Sequence, residues 1–95
     1  METALLSAVK LDLGVKSNAK DSDIEENIKA ALEDISRHGV SESKIAQENP
    51  SIRQAVKLYC RAGYNFQGDG ERYAQNYEKY VNGLALDGKF REVEA

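Results

Sequence analysis

One histidine, His38, and one cysteine, Cys60, are present in the 95 residues, so a nucleophile with its base or a metal centre would have to be assembled from these two and from carboxylates. Neither sits in a setting that suggests reaction. His38 falls where a helix is expected to end, and an imidazolium there complements the negative end of the helix dipole. Cys60 lies on an apolar stripe, where a thiol behaves as a small hydrophobe. The acids Asp21, Asp23, Glu25 and Glu26 resemble a calcium loop only superficially. The sixth position, which needs glycine, is Glu26, and the twelfth, which needs a bidentate acid, is Leu32. The expectation is no catalytic residue, no cofactor and no metal. What remains is charge. Arg53, Lys57 and Arg61 recur every fourth residue, and Ile52 to Tyr64 holds three bases and no acid. Asp21 to Asp34 holds six acids, namely Asp21, Asp23, Glu25, Glu26, Glu33 and Asp34, against the single base Lys29.

These residues are carried by helical patterns. In NPSIRQAVKLYCRAG, Asn49 can cap a helix and Pro50 suits its first position, where a missing N–H costs nothing. Ile52, Ala55, Val56, Tyr59 and Cys60 then form one apolar stripe, with the basic stripe beside it. Upstream, Leu5, Leu6, Val9 and Leu13 predict a first helix from about Thr3 to Leu13, ending near Gly14. Ser22 and Glu25 have capping-box spacing, and the acids around them favour the positive end of a helix dipole. Ile24, Ile28, Ala31, Leu32 and Ile35 continue that helix to Arg37 and His38, with Gly39 as its C′ residue. Val40 to Glu48 reads as a short turn of helix anchored by Ile45. Tyr64 to Gly70 reads as a flexible loop, with Asp69 able to cap a last helix from about Glu71 to Asn82 that carries Tyr73, Tyr77, Tyr80 and Val81 on one face. Leu84 to Ala95 reads as an irregular tail. The five tyrosines, Tyr59, Tyr64, Tyr73, Tyr77 and Tyr80, cluster in the second half. They suit either the core of an αα-hairpin or an interface, where tyrosine is favoured. The fold expected is all-α: one domain, a bundle of three to four helices with a short linker helix, a helical core over residues 1–86 and a tail over 87–95.

The totals narrow the class. A chain of this length with 41% apolar content buries about 65% of its unfolded surface, which leaves little stability to spare and makes association with a partner reasonable. A net charge of −3 is wrong for a general nucleic-acid binder, although a local basic face is compatible with it. One cysteine permits no intrachain disulfide, no secretory signal opens the chain, and no apolar run approaches the ~20 residues that span a bilayer. The expectation is a soluble protein assembled in the cytoplasm.

Two readings of function follow. Ile35 to Ile45, ISRHGVSESKI, imitates a DNA-binding helix-turn-helix with Gly39-Val40-Ser41 as the turn. Against it, Ile35 stands where a small residue should let the helices touch, and Glu48 stands where an apolar one is needed. Glu42 and Glu48 would also turn acids toward phosphates. The second reading is a resemblance. From about Leu5 to Leu86, the order LDLGV, DSDIEENIKAALEDISRHGV, a compact linker, IRQAVKLYCRAGY, a Gly-containing loop and RYAQNYEKYVNGLAL resembles the small head-tail connector, or head-completion, proteins of long-tailed bacteriophages. The resemblance implies a non-enzymatic virion protein in the neck, assembled in the host cytoplasm. It would form a ring of about a dozen copies, closed by head-to-tail contacts between two complementary patches per subunit. The ring would bind the portal protein, retain packaged DNA and present a platform to the next neck or tail protein. Under it, Arg53, Lys57 and Arg61 face either Glu25, Glu26 and Glu33 of a neighbouring subunit or DNA in the ring lumen. The connector is the reading adopted, with the helix-turn-helix regulator as its alternative and a generic helical adaptor or chaperone as a third.

Overall fold

The computed structural model describes residues 4–46 and 50–87. Among them the fold is all-α, in the order α1 (Ala4–Leu13), α2 (Asp21–Arg37), α3 (Glu42–Ala46), α4 (Pro50–Gly63) and α5 (Gly70–Leu86), with a single 3₁₀ turn at Phe66–Gly68 between the last two. Helix α4 is the centre, and α1, α2 and α5 all pack on it. Its buried residues Ile52, Ala55, Val56, Leu58 and Cys60 show why. At 100° per residue they span about 200° of the helix surface, twice the arc of an ordinary amphipathic helix. Leu58, on the far edge of that arc, lies outside the stripe read from the sequence.

Helices α4 and α5 run antiparallel. Tyr80 lies against Ser51, Tyr77 against Tyr59 and Tyr73 against Arg61, so numbers rise on one helix as they fall on the other. The seam of α5 is Gly70, Tyr73, Tyr77, Val81 and Leu84, steps of three or four that place every member on one line. Tyr77 meets Tyr59 edge-on at 5.2 Å, and the Tyr80 hydroxyl donates to the Ser51 carbonyl at 3.0 Å, so Tyr80 packs its ring on the core and keeps a polar partner. Helix α2 faces the core with Ile24, Ile28, Ala31 and Ile35, and α1 with Leu5, Leu6 and Val9. Full burial of each aliphatic side chain contributes about 1.5–3 kcal/mol.

Several boundaries differ from the sequence reading. Helix α2 begins at Asp21, one residue before the expected cap, with Lys20 in the cap position and no side-chain cap; Ser22 is inside the first turn. The Asp21 carboxylate lies 2.8 Å from the ammonium of Lys10, buried on α1. The same ammonium donates to Asn18, so Lys10 ties the chain just before α2 to its first residue. Asp69 precedes α5 without a side-chain cap, and the side-chain oxygen of Asn65 accepts from the Gly70 N–H at 2.8 Å. The expected flexible loop is thus a turn with defined geometry, in which Asn65 (φ 48°) and Gln67 (φ 54°) both occupy left-handed backbone. Helix α5 also runs past Gly83 to Leu86, so Leu84–Leu86 belongs to the helix rather than to a tail. Asn49, Glu48 and the segment 88–95 lie outside the described residues. Gly39, at φ +100°, does terminate α2 as its spacing predicts.

Candidate functional site

The charged faces sort into groups with different fates. On α2, Glu26 and Glu33 sit about 180° from the Ile24–Ile35 stripe and are exposed, while Glu25 lies on the flank and is half-buried. Lys29 stands among them, within one turn of each. On α4, Arg53 is exposed and Lys57 half-buried. Arg61 leaves the group. Its Nε donates to Asp12 Oδ2 at 2.7 Å and its Nη2 to Asp12 Oδ1 at 2.5 Å, a bidentate pair between α4 and α1. The guanidinium also lies 5.6 Å from the Phe66 ring centroid and 5.2 Å from that of Tyr73. The hydrogen bonds to Asp12 hold it charged more firmly than an ordinary arginine. The expectation that Arg61 forms one open stripe with Arg53 and Lys57 is therefore corrected. Helical spacing places it on that stripe, but α1 and the turn after α4 close over the last turn.

A second group gathers where α2 ends against the middle of α5. His38 is the residue just after α2, and its Nδ1 lies 2.8 Å from the Asp34 carbonyl. A carbonyl only accepts, so Nδ1 carries the hydrogen and Nε2 faces Glu78 Oε2 at 3.4 Å. The Asp34 carboxylate accepts the Tyr77 hydroxyl at 2.6 Å and lies 3.3 Å from Arg37 Nη2. The bond to the Asp34 carbonyl raises the His38 pKa above its usual 6.5, burial opposes this, and Glu78 and the Asp34 charge add to the rise. Burial, then the hydrogen bond to Asp34, pushes the Tyr77 hydroxyl well above the usual phenol range. The cluster borders an open groove of roughly 420 Å³ lined by Asn27, Tyr59, Gly63, Ala74, Tyr77 and Glu78. His38 does complement the end of its helix, as its position in the sequence implies. Its meeting with Glu78, forty positions away, had no signal in the sequence.

Cys60 is not an activated nucleophile. Cys60 is fully buried, and burial, assisted by the charge of Asp12, pushes its thiol up to about 12. An un-ionised, inaccessible thiol neither attacks nor ligates. The helix-turn-helix pattern resolves, among the described residues, into α2, the Gly39 turn and α3, which opens with Glu42. Four of the five tyrosines serve the helical hairpin, while Tyr64 is 37% exposed. Among the described residues no helix is long and apolar enough to cross a membrane. In comparisons with known proteins, no family model, curated protein or solved structure matches the chain.

Proposed function

We propose that the protein is a structural subunit without catalytic activity: a head-tail connector that closes into a ring by head-to-tail contacts, docks on a portal protein and carries the next neck component. The observation that carries this reading is the separation of Glu26 and Glu33 on the outer face of α2 from Arg53 and Lys57 on α4. One rigid subunit thus bears two patches of opposite sign on different elements, as a heterologous, ring-closing contact requires. The helical order that resembles the connector family supports the same reading, and so does the placement of Cys60 and of most of the tyrosines inside the fold rather than in a reaction site. In this reading Arg53 and Lys57 are the bases presented to the neighbour, and Arg61 braces α4 against Asp12 within the subunit.

Exposed charge pairs contribute about 0.2–1 kcal/mol each, too little to hold two subunits but enough to fix orientation when repeated around a ring. The test is charge reversal. Arg53→Glu with Lys57→Glu is expected to leave helical circular dichroism intact and to abolish assembly onto portal-bearing heads. Adding Glu26→Lys and Glu33→Lys is expected to restore it. Assembly of the basic-face reversal into full, stable heads would refute the charge contact. Assembly with loss of packaged DNA would assign the basic patch to the lumen. Gel-shift measurements at moderate salt separate this function from the regulator: tight, sequence-dependent duplex binding near 10⁻⁸ M would replace the connector reading.

A further inference from the structure

The juxtaposition of His38, Glu78 and Asp34 has the chemistry of a cation site. Ligating atoms of the three lie within 4.8 Å of one another. Nδ1–H is committed to the Asp34 carbonyl, with the Asp34 carboxylate 3.6 Å from the same nitrogen, so Nε2, which faces the carboxylate of Glu78, is the ring atom that can be given to a metal once its proton is lost. Donation of the non-ligating ring nitrogen to a backbone carbonyl is the usual arrangement of metal-bound histidines. The 3.4 Å between Nε2 and Glu78 Oε2 is long for a charge-assisted hydrogen bond, which runs at about 2.7–2.9 Å. It equals the ligand-to-ligand edge of a tetrahedral shell with metal–ligand bonds of about 2.0–2.1 Å. The Tyr77 hydroxyl orients the Asp34 carboxylate, and the adjoining groove leaves room for water to complete the shell.

We propose that Asp34, His38 and Glu78 form a binding site for a divalent transition-metal ion, zinc in the first instance. One imidazole nitrogen with two carboxylates suits zinc and its neighbours rather than calcium or magnesium, which take oxygen ligands alone. The ion ties the end of α2 to the middle of α5 and so fastens the corner that leads into α3. Arg37 opposes it, since its guanidinium lies against Asp34; that side chain is 69% exposed and free to swing into solvent.

The test uses the full chain without a histidine tag and zinc chloride as titrant, followed by calorimetry and by thermal denaturation. The wild type is expected to bind one equivalent saturably and to melt at a higher temperature with zinc than without. His38→Gln and Glu78→Gln are each expected to weaken binding about tenfold or more, and Arg37→Gln to strengthen it. Glu78 is 59% exposed, so its variant keeps the test sound if His38→Gln disturbs folding. A zinc-induced change in the ¹⁵N shift of His38 Nε2, and not of Nδ1, reports the ligating atom directly. Absence of saturable binding, or binding equal in wild type and both ligand variants, would overturn the site; the second result marks an adventitious ion only.

Discussion

Cys60 shows how completely surroundings set the behaviour of a side chain. A thiol in water ionises near 9.0, yet the interior of the hairpin holds this one protonated up to about 12. The charged form is the one that burial penalises. Reaction with a thiol reagent is therefore expected to be slow in the native protein and fast in denaturant. The sign of the pH effect follows from the same shift. Because the folded pKa lies above the unfolded one, the contribution is intact below pH 9.0 and is lost as pH rises from there toward about 12. Urea midpoints measured across that range should fall for the wild type and fall less for Cys60→Ala. Cys60→Ser should cost about 1–3 kcal/mol at neutral pH, since it buries a hydroxyl with no assured partner. Rapid native labelling would place this face of α4 at the surface.

At the scale of elements, the decisive feature is the turn between α4 and α5. Asn65 folds back on Gly70, whose N–H it binds, and a side chain at Gly70 would meet Asn65 Oδ1 at 2.6 Å, Asn65 Cα at 2.9 Å and the Ala62 carbonyl at 3.1 Å. Two of these are backbone atoms that cannot step aside without shifting the turn. Gly83, on the same helix, faces open space. The same substitution should thus have opposite effects at the two sites, as read from chemical denaturation midpoints. Gly70→Ala is expected to destabilise by about 1–3 kcal/mol, as overpacking does. Gly83→Ala is expected to stabilise by about 0.5–1 kcal/mol, by removing backbone entropy from the unfolded chain. Equal effects would mean that the turn adapts to a Cβ and that Asn65 does not hold the start of α5.

For the whole molecule, α1 is fastened to the rest by two ionic contacts as well as by its leucines. Lys10 reaches Asp21 at the head of α2, and Asp12 holds Arg61 at the foot of α4. Asp12 and Arg61 are 13% and 25% exposed, so solvent screens the pair only in part. Arg61→Ala leaves a largely buried carboxylate without its partner and should cost about 2 kcal/mol, below the full cost of breaking a wholly buried pair. Arg61→Met combined with Asp12→Asn should cost less than the two single changes added together, because no stranded charge remains. A double-mutant cycle in urea measures this coupling; strict additivity would show that the contact does not fasten α1. The loss belongs to subunit stability, whereas reversal of Arg53 and Lys57 is expected to remove assembly.

The sequence by itself determined the elements. Period-3.6 apolar spacing marks each long helix, Pro50 marks the start of α4 and Gly39 the end of α2, because these signals act within one or two turns of chain and need no distant partner. It also determined the outward faces of α2 and of the first half of α4, since a residue opposite the core stripe has nowhere else to point. Tertiary structure decided the partners. Arg61 reads as an open base until Asp12, forty-nine positions earlier, is brought beside it. Asp21 reads as a helix-start charge until buried Lys10 meets it, and Asn65 has no visible partner until the turn aims its oxygen at Gly70. His38 reads as a dipole charge alone until α5 delivers Glu78. A helical wheel contains only its own helix. Which polar group meets which depends on how α1 and α5 lie across α4, and burial over the whole core, rather than local propensity, sets that arrangement.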